Sequence, residues 1–347
     1  MKNQLWRLLN YPQNLPTEEH LAFMEESVPE LGDGDVLIRI VYVSMDPANR
    51  LWIRPEGSYL PAFPLGSVMP AASIGIVEAS RHPRYSKGQR VQGIWGWQLY
   101  TVLNGGPIDR QLPMEEGGIL PLPAPPPGTS LLDFFGLFGV HGLTAYFGVT
   151  DIGQVKPGDT MLVSAAAGAI GSLVVQMAKI SGARVIGIAG GPEKCSLVTD
   201  KFGADACIDY KSDNMSERIA SLAPGGVDVY FDNVGGDILE AAIDNMAHYG
   251  RIVFCGAISQ YNQANPGGPS NYMQLLYKEV TLKGFLVLSY IDRMEEAMET
   301  IAGWMAEDRI SMQIDLQEGL ENALAVFNRL FDGTNRGKLV LQVSDPE

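Results

Sequence analysis

The turn after the apolar segment Thr160-Met-Leu-Val-Ser-Ala165 constrains the fold more than any other feature of this chain. The segment has the pattern of a buried strand, and Ile170–Lys179 has that of a helix. Ala166, Gly168 and Gly171 lie between them with the spacing of the phosphate-binding turn of doubly wound sheets, although alanine replaces the first glycine. Such a turn binds a dinucleotide's pyrophosphate through close backbone approach and helix N-terminal N–H groups. Alone it is a weak signal, because an ordinary tight turn before an alanine-rich helix has the same pattern.

The sequence that follows this turn supports a dinucleotide-binding turn over an ordinary tight turn. Helical patterns at 170–181, 193–202 and 238–246 separate β-rich runs, which predicts a parallel, doubly wound α/β sheet. Beyond about residue 292, two amphipathic helices precede a last strand at 338–343. The predicted strands of the sheet are 160–165, 183–189, 206–210, 227–232, 251–255 and 281–287.

The first 110 residues have a different spacing of apolar residues, with a period of two. Apolar residues alternate along Val36–Tyr42, and 74–79 and 90–95 are further predicted strands, with frequent glycine and proline between them. This pattern is typical of a β-rich, barrel-like domain. The proline-rich segment Leu120–Gly128 is incompatible with a helix or a central strand and predicts a domain boundary.

Composition excludes several classes of partner. The chain has 40 acidic and 25 basic residues and a net charge of −15, which disfavours nucleic acid and anionic membranes. The most apolar stretch, Phe134–Val149, is shorter than a membrane span, and Met1–Leu9 lacks the apolar run of a signal peptide. Three cysteines, odd in number and far apart, suit a reducing compartment. We therefore expect a cytoplasmic protein.

The end of the second predicted strand indicates which dinucleotide fits. NAD enzymes usually carry Asp or Glu about 20 residues beyond the turn, where the carboxylate binds the ribose 2′-hydroxyl. This chain has Ala189-Gly-Gly-Pro192 there, and Lys194 follows as a point charge suited to a 2′-phosphate. Glu193 leaves alternatives open, because its carboxylate could bind the ribose, and a solvated Glu-Lys pair would bind neither. The pattern favours NADPH.

With these residues assembled, the chain closely resembles the zinc-independent medium-chain dehydrogenase/reductases, especially the group of prostaglandin reductase, leukotriene B4 12-hydroxydehydrogenase and curcumin reductase. The resemblance extends over nearly the whole chain. It rests on Met45-Asp-Pro47, Gly142-Leu-Thr-Ala-Tyr146, Ala165-Ala-Ala-Gly-Ala-Ile-Gly171, Phe231-Asp-Asn-Val-Gly-Gly236, Cys255-Gly-Ala-Ile-Ser259 and Asn335-x-Gly337-Lys338.

The resemblance implies a fold, an assembly and a set of site residues. It implies a GroES-like catalytic domain at 1–130 and 310–347, a Rossmann NADPH-binding domain at 131–309, and a homodimer. Lys194 and Tyr210 would hold the 2′-phosphate, and Tyr261 would be the catalytic residue, bonded to the nicotinamide ribose hydroxyl. The full set of implied cofactor contacts is Ala167, Gly168, Ala169, Ile170, Gly171, Lys194, Tyr210, Asn233, Cys255, Gly256, Ala257, Ile258, Tyr261, Phe285, Leu286, Val287 and Asn335.

Metal and thiol chemistry are disfavoured. Where zinc members of the superfamily carry ligands, this chain has Ser44-Met-Asp46 and Gly66-Ser-Val-Met69, and its four histidines are scattered without ligand spacing. We expect no metal. Cys207 and Cys255 have the pattern of core residues, and Cys195, beside Lys194, is a candidate for a lowered pKa without a catalytic role.

A nicotinamide enzyme without a Lewis acid does best with conjugated acceptors. The predicted function is therefore NADPH-dependent reduction of the carbon–carbon double bond of α,β-unsaturated ketones and aldehydes. The alternatives are a quinone reductase and an NADPH-binding protein without turnover. We expect a substrate cleft between the domains, with Arg50, Tyr59 and Tyr272 among its residues. Ala48-Asn49 and His141 depart from the family pattern and affect the expected substrate specificity.

Overall fold

The computed structural model describes residues 1–104, 118–123 and 129–346. Residues 124–128 of the proline-rich segment, where the sequence predicts a domain boundary, lie outside the described residues. The chain forms two compact units. The β-rich unit comprises Met1–Pro127, Asp315–Thr334 and Leu339–Glu347, and the parallel-sheet unit comprises Gly128–Ile314 and Asn335–Lys338.

The strands agree with the predicted change from a β-rich first part of the chain to alternating strands and helices in the second. Most predicted strands are found within one or two residues of their expected bounds. The strand predicted at 251–255 begins earlier, at Met246, and the strand predicted at 281–287 ends at Gly284 and is followed by a 3-10 turn, Val287–Arg293. The strands are β1 (Lys2–Leu8), β2 (Leu21–Ser27), β3 (Asp35–Ser44), β4 (Ala72–Ser80), β5 (Arg90–Ile94), β6 (Tyr100–Asn104), β7 (Leu120–Pro121), β8 (Thr160–Val163), β9 (Arg184–Ala189), β10 (Ala206–Asp209), β11 (Val227–Asp232), β12 (Met246–Phe254), β13 (Thr281–Gly284), β14 (Ile314–Glu318) and β15 (Lys338–Gln342).

The helices confirm the alternation in the second half. The helix predicted at 193–202 is divided into a short α-helix and a π-helical turn, Leu197–Lys201. The α-helices are α1 (Ala48–Trp52), α2 (Leu131–Phe135), α3 (Val140–Phe147), α4 (Ala169–Ile180), α5 (Pro192–Ser196), α6 (Met215–Leu222), α7 (Gly236–Asp244), α8 (Met273–Tyr277), α9 (Met294–Ala306) and α10 (Ala323–Asp332). No helix among the described residues has the length and apolar character needed to cross a membrane.

The β-rich unit is built on an antiparallel sheet. The strands β14, β15, β3, β4, β5 and β7 lie side by side in that order, and β6 pairs with β3 away from this path. The hairpin of β1 and β2 forms a separate two-stranded sheet. Val36, Ile38 and Ile40 on alternate positions of β3 are fully buried in the core of this unit. The two-residue alternation therefore predicted this sheet correctly, whereas α1 gave no periodic signal.

The parallel-sheet unit has the strand order β10-β9-β8-β11-β12-β13, and every neighbouring pair is parallel. This is the doubly wound order, in which the chain reverses direction across the sheet between β8 and β11. Ligands of such sheets bind at the carboxyl ends of the two strands that flank this point. Leu162, Ile186, Tyr230 and Ile252 fill the core from four neighbouring strands.

Candidate active site

The turn after β8 is held in shape by close backbone packing. The Gly168 N–H donates to the Ala165 carbonyl at 2.8 Å, and Ala165 has a left-handed φ of +48° although it is not glycine. A Cβ on Gly171 would lie 2.2 Å from the Ala165 oxygen, so only glycine lets α4 begin this close to the strand end. The first-turn N–H groups of α4, which have no partner within the helix, therefore lie at the carboxyl edge of the sheet.

Asn233, directly after β11, is fixed against the end of the neighbouring strand β8. Its backbone N–H donates to Ser164 Oγ at 2.8 Å, and its side-chain Nδ2 donates to the Ser164 carbonyl at 2.8 Å. The predicted cofactor residue Asn233 is thus brought beside the glycine turn at the point where the sheet reverses. Ser164 was not singled out in the sequence, since a serine at the end of an apolar strand is a common residue there.

Asp232 is a buried carboxylate beneath this edge. It is completely buried, and its Oδ1 accepts from the Tyr230 hydroxyl at 2.7 Å and from the Val234 and Gly235 N–H groups at 2.9 Å each. Its Oδ2 has no hydrogen-bond partner among the described residues. Burial raises the pKa of Asp232, and the backbone donors oppose this effect. Asp232 therefore orders the turn that carries Asn233.

The loop after β12 is attached to the same turn. The Cys255 and Gly256 N–H groups donate to the Asp232 carbonyl at 2.9 and 3.1 Å, and the Ile258 N–H donates to the Asn233 carbonyl at 3.2 Å. Ala257 lies between them, and its N–H donates to the Tyr261 hydroxyl at 3.2 Å. The candidate catalytic hydroxyl is therefore oriented by a backbone donor in the loop that the sequence assigned to the nicotinamide end.

The carboxyl end of β9 has no acid, as the sequence indicated, and an aromatic ring lies against it. A Cβ on Gly190 would lie 2.8–2.9 Å from three atoms of the Tyr210 side chain, so the tyrosine occupies the space beside this glycine. The Gly191 N–H donates to Asp209 Oδ1 at 2.7 Å. Lys194 lies in α5, one turn further on, and is half-buried. The structure thus brings Lys194 and Tyr210 to the same strand end.

The segment 335–338 crosses the glycine turn. Gly337 forms a parallel bridge with Gly168, its N–H donates to the Ala167 carbonyl at 3.1 Å, and Asn335 Nδ2 donates to the Gly337 carbonyl at 3.1 Å. Arg336, between them, donates from its guanidinium to the Glu193 carboxylate at the start of α5. Glu193, which the sequence left open as a ribose ligand, is therefore engaged in an ion pair.

The remaining predicted residues are placed as follows. Phe285 is half-buried and its ring lies edge-on to Tyr290 with centroids 6.3 Å apart, while Leu286 is exposed and Val287 is buried. These residues follow β13 at the far side of the same sheet. Their contact with the nicotinamide half of a cofactor stays a prediction.

Two of the three predicted substrate residues belong to the β-rich unit. Arg50 is buried in α1, where its Nη2 donates to the Pro12 carbonyl, and burial lowers its pKa to about 10. The Tyr59 hydroxyl accepts from Trp52 Nε1 at 3.0 Å and the residue is 38% exposed. Tyr272, before α8 in the parallel-sheet unit, is 61% exposed. Their role in substrate binding stays a prediction.

The cysteines and His141 have structural environments. Burial raises the pKa of Cys195, so the lowered pKa considered from its position beside Lys194 is wrong. Burial also raises the pKa of Cys207, and it raises that of Cys255 to about 12. His141 is buried, with its Nδ1 2.7 Å from the Phe135 carbonyl oxygen. Within residues 1–104, 118–123 and 129–346, no group of three or more His, Cys, Asp or Glu side chains could hold a metal ion.

The arrangement fits a dinucleotide with a 2′-phosphate. A turn that admits no Cβ at Gly171 and a helix N-terminus suit the pyrophosphate, and a lysine and a tyrosine hydroxyl suit the phosphate on the ribose. Sequence reasoning missed Ser164, Asp232 and Arg336. Asp232 lay within a recognised motif, but nothing local indicated that Arg336 pairs with a residue 143 positions away.

Comparison with known proteins agrees with this geometry. Residues 4–110 match a family described as the N-terminal domain of oxidoreductase, and residues 169–303 match the family described as zinc-binding dehydrogenase. The second match begins at the glycine turn. It covers most of the parallel-sheet unit.

Individual relatives are similar over almost the full chain. NADPH-dependent curcumin reductase of Escherichia coli is 36% identical over 99% of this chain and 97% of its own, and a 2-alkenal reductase (NADP(+)-dependent) of Nicotiana tabacum is 35% identical over 97% and 96%. The crystal structure of CurA from Vibrio vulnificus in complex with NADPH is 37% identical, with a TM-score of 0.90 over 99% of this chain and 100% of that one. The chain belongs to the zinc-independent medium-chain dehydrogenase/reductases, in the group of curcumin reductase and prostaglandin reductase.

Proposed function

We propose that this protein is an NADPH-dependent reductase of the carbon–carbon double bond in α,β-unsaturated ketones and aldehydes. The observation that carries the proposal is the position of Tyr261, whose hydroxyl is held by the Ala257 N–H in a loop tied to the cofactor-binding edge of the sheet. The relatives named as a curcumin reductase and a 2-alkenal reductase support this class of acceptor.

The parallel-sheet unit holds the cofactor. The backbone of Ala167 to Gly171 and the first turn of α4 bind the pyrophosphate, and Lys194 and Tyr210 bind the 2′-phosphate. Asn233 and Asn335 contact the cofactor from the two segments that flank the glycine turn. The loop from Cys255 to Tyr261 and the residues Phe285, Leu286 and Val287 enclose the nicotinamide half.

The chemistry requires stabilisation of a developing negative charge. Bound NADPH supplies a hydride, which adds to the β-carbon of the acceptor and shifts an electron pair onto the carbonyl oxygen. Tyr261 would bond to the nicotinamide ribose hydroxyl, which would donate a hydrogen bond to this oxygen, and the orientation of the Tyr261 hydroxyl by Ala257 means that little reorganisation is needed. The α-carbon then takes a proton, which water can deliver. The product is the saturated ketone or aldehyde.

One acceptor screen tests the proposal. NADPH oxidation is measured with 4-phenyl-3-buten-2-one, a 2-alkenal and a benzoquinone, and the organic products are identified by mass spectrometry. We expect turnover of the enone and the alkenal with saturated products. Turnover of the quinone alone, or NADPH binding without oxidation of any acceptor, contradicts the proposal.

The assembly and the division of the chain are part of the same proposal. We infer a homodimer because β13 is the outer strand of its sheet and all four of its residues are exposed, and because nearby Leu276 and Tyr277 are 67% and 62% exposed. Outer strands with unpaired backbone groups pair readily with a second copy around a two-fold axis. Sedimentation equilibrium tests this, and the mass of a single chain contradicts it.

We also propose a catalytic domain at 1–130 and 310–347 and a nucleotide-binding domain at 131–309, supported by compact units that divide between 127 and 128 and between 314 and 315. A cytoplasmic location is supported by the three cysteines, none of which is in a disulfide.

A further inference from the structure

An ion pair joins two distant segments at the end of the site that we assign to the 2′-phosphate. Arg336 donates to the Glu193 carboxylate, and their side chains are 66% and 75% exposed. Glu193 immediately precedes Lys194 in the first turn of α5. An ion pair this exposed contributes little to stability, so its position is more informative than its strength.

Glu193 presents a difficulty for a site that binds a 2′-phosphate. A carboxylate that follows the second strand of a Rossmann sheet is the group that binds ribose hydroxyls in NAD enzymes. The same carboxylate repels a phosphate, which carries a charge of about −1.5 to −2 near neutral pH. Beside Lys194, an uncompensated Glu193 would cancel most of the attraction that the lysine provides.

The backbone that carries Arg336 is fixed on both sides. The Gly337 N–H donates to the Ala167 carbonyl at 3.1 Å and the Lys338 N–H donates to the Gln313 carbonyl at 2.8 Å. Gly337 has a φ of +85°, and a Cβ there would lie 2.1 Å from the Gln313 oxygen. The segment therefore crosses the glycine turn in one defined conformation, which directs the Arg336 side chain towards the start of α5.

We propose that Arg336 is a specificity-determining residue, which neutralises the Glu193 carboxylate and so lets this end of the site favour NADPH over NADH. This inference rests on the proposed placement of the 2′-phosphate at Lys194 and Tyr210. With Glu193 compensated, Lys194 supplies the net positive charge that distinguishes a 2′-phosphate from a 2′-hydroxyl. Arg336 thus contributes to the recognition of the cofactor through a residue other than the lysine itself.

Four proteins test the proposal: the native chain, R336Q, E193Q and the double variant. Dissociation constants for NADPH and NADH are measured by nicotinamide fluorescence in the absence of any acceptor. A unit charge acting through water on a nearby phosphate changes binding by about fivefold. We expect R336Q to bind NADPH about fivefold more weakly, E193Q to bind it more tightly, and the double variant to return within about twofold of the native chain. NADH binding should change little, and the differences should shrink in 0.5 M salt as charges are screened.

A residue that only supports the fold gives a different result. If R336Q weakens NADPH and NADH equally, or if the double variant binds NADPH as weakly as R336Q, the proposal is overturned. The K194A variant distinguishes a wrong placement of the 2′-phosphate from a wrong role for Arg336. An unchanged ratio of NADPH to NADH affinity in K194A overturns the placement of the phosphate, whereas a changed ratio in K194A with none in R336Q overturns only the role of Arg336.

Discussion

Replacing Gly171 by alanine tests whether the close approach of α4 to the strand end creates the cofactor site. The added Cβ would lie 2.2 Å from the Ala165 carbonyl oxygen, 2.8 Å from its carbonyl carbon and 2.9 Å from the Ala166 Cα. All three are backbone atoms of the turn, so no side chain can rotate away to relieve the contact. The start of the helix must therefore move by about 1 Å to restore ordinary van der Waals distances.

Two effects of opposite sign determine the stability of G171A. Overpacking of this kind costs about 1–3 kcal/mol, and the higher helix propensity of alanine returns about 1 kcal/mol. We therefore expect a net loss of up to about 2 kcal/mol, which lowers the melting temperature by up to about 8 °C for a unit of this size. The displaced N–H groups should weaken NADPH binding by about tenfold or more.

Gly303 provides the matched control. It lies inside α9, is exposed, and has no atom within 4 Å of the position of an added Cβ. We expect G303A to be about 0.5–1 kcal/mol more stable than the native chain and to bind NADPH with the same affinity. Thermal unfolding and NADPH fluorescence titration are measured on both variants. If G171A behaves as G303A does in both assays, the argument from close packing is wrong.

Two further predictions concern Tyr261 and Asp232. Y261F should reduce enone turnover at saturating NADPH by about tenfold or more, because the Tyr261 hydroxyl is lost. Y249F, at a tyrosine that is 70% exposed, should leave turnover unchanged. Equal turnover of the two variants would contradict the role of the Tyr261 hydroxyl. Because burial raises the pKa of Asp232 above its ordinary value of 3.8, the folded state holds this proton more tightly than the unfolded chain. The free energy of unfolding of the native chain should therefore fall relative to that of D232N as pH rises from about 4 through the raised pKa. The expected fall is about 1.4 kcal/mol for each unit by which folding raises the pKa. Urea unfolding at several pH values measures both free energies, and a constant difference between the two proteins across this range would refute the prediction.

The sequence was sufficient for the features that have a local pattern. The spacing of Gly168 and Gly171 predicted the turn because steric exclusion at these positions acts on neighbouring backbone. Alternation along β3 predicted the strand because Val36, Ile38 and Ile40 share one face and meet the core of the β-rich unit, but it missed that the residues on the other face, such as Val41, are buried as well. Apolar periodicity was less precise at element ends. It extended β13 through Phe285–Val287, since the run of apolar residues continues past the end of the strand towards the 3-10 turn.

The candidate site was only partly predictable because its supporting contacts join distant segments. Ser164 and Asp232 lie 68 residues apart, and Glu193 and Arg336 lie 143 residues apart. Contacts between residues this far apart produce no periodic pattern in the sequence from which they could be predicted. The open question about Glu193 therefore needed the three-dimensional arrangement, which supplies its partner. The pKa of Cys195 was also misjudged, because burial of its thiol raises it.

The packing of Tyr210 on Gly190 couples two determinants of cofactor preference at the end of β9. An acid at Gly190 is the direct route to NADH recognition in this class of fold, but its Cβ would meet the Tyr210 ring at 2.8–2.9 Å. The atoms concerned are the outer end of a side chain that is 42% exposed, so the tyrosine can rotate into solvent to admit the new side chain. That rotation takes the Tyr210 hydroxyl away from the 2′-phosphate position proposed for it. A single substitution at Gly190 therefore gains a ribose contact and loses a phosphate contact at the same time.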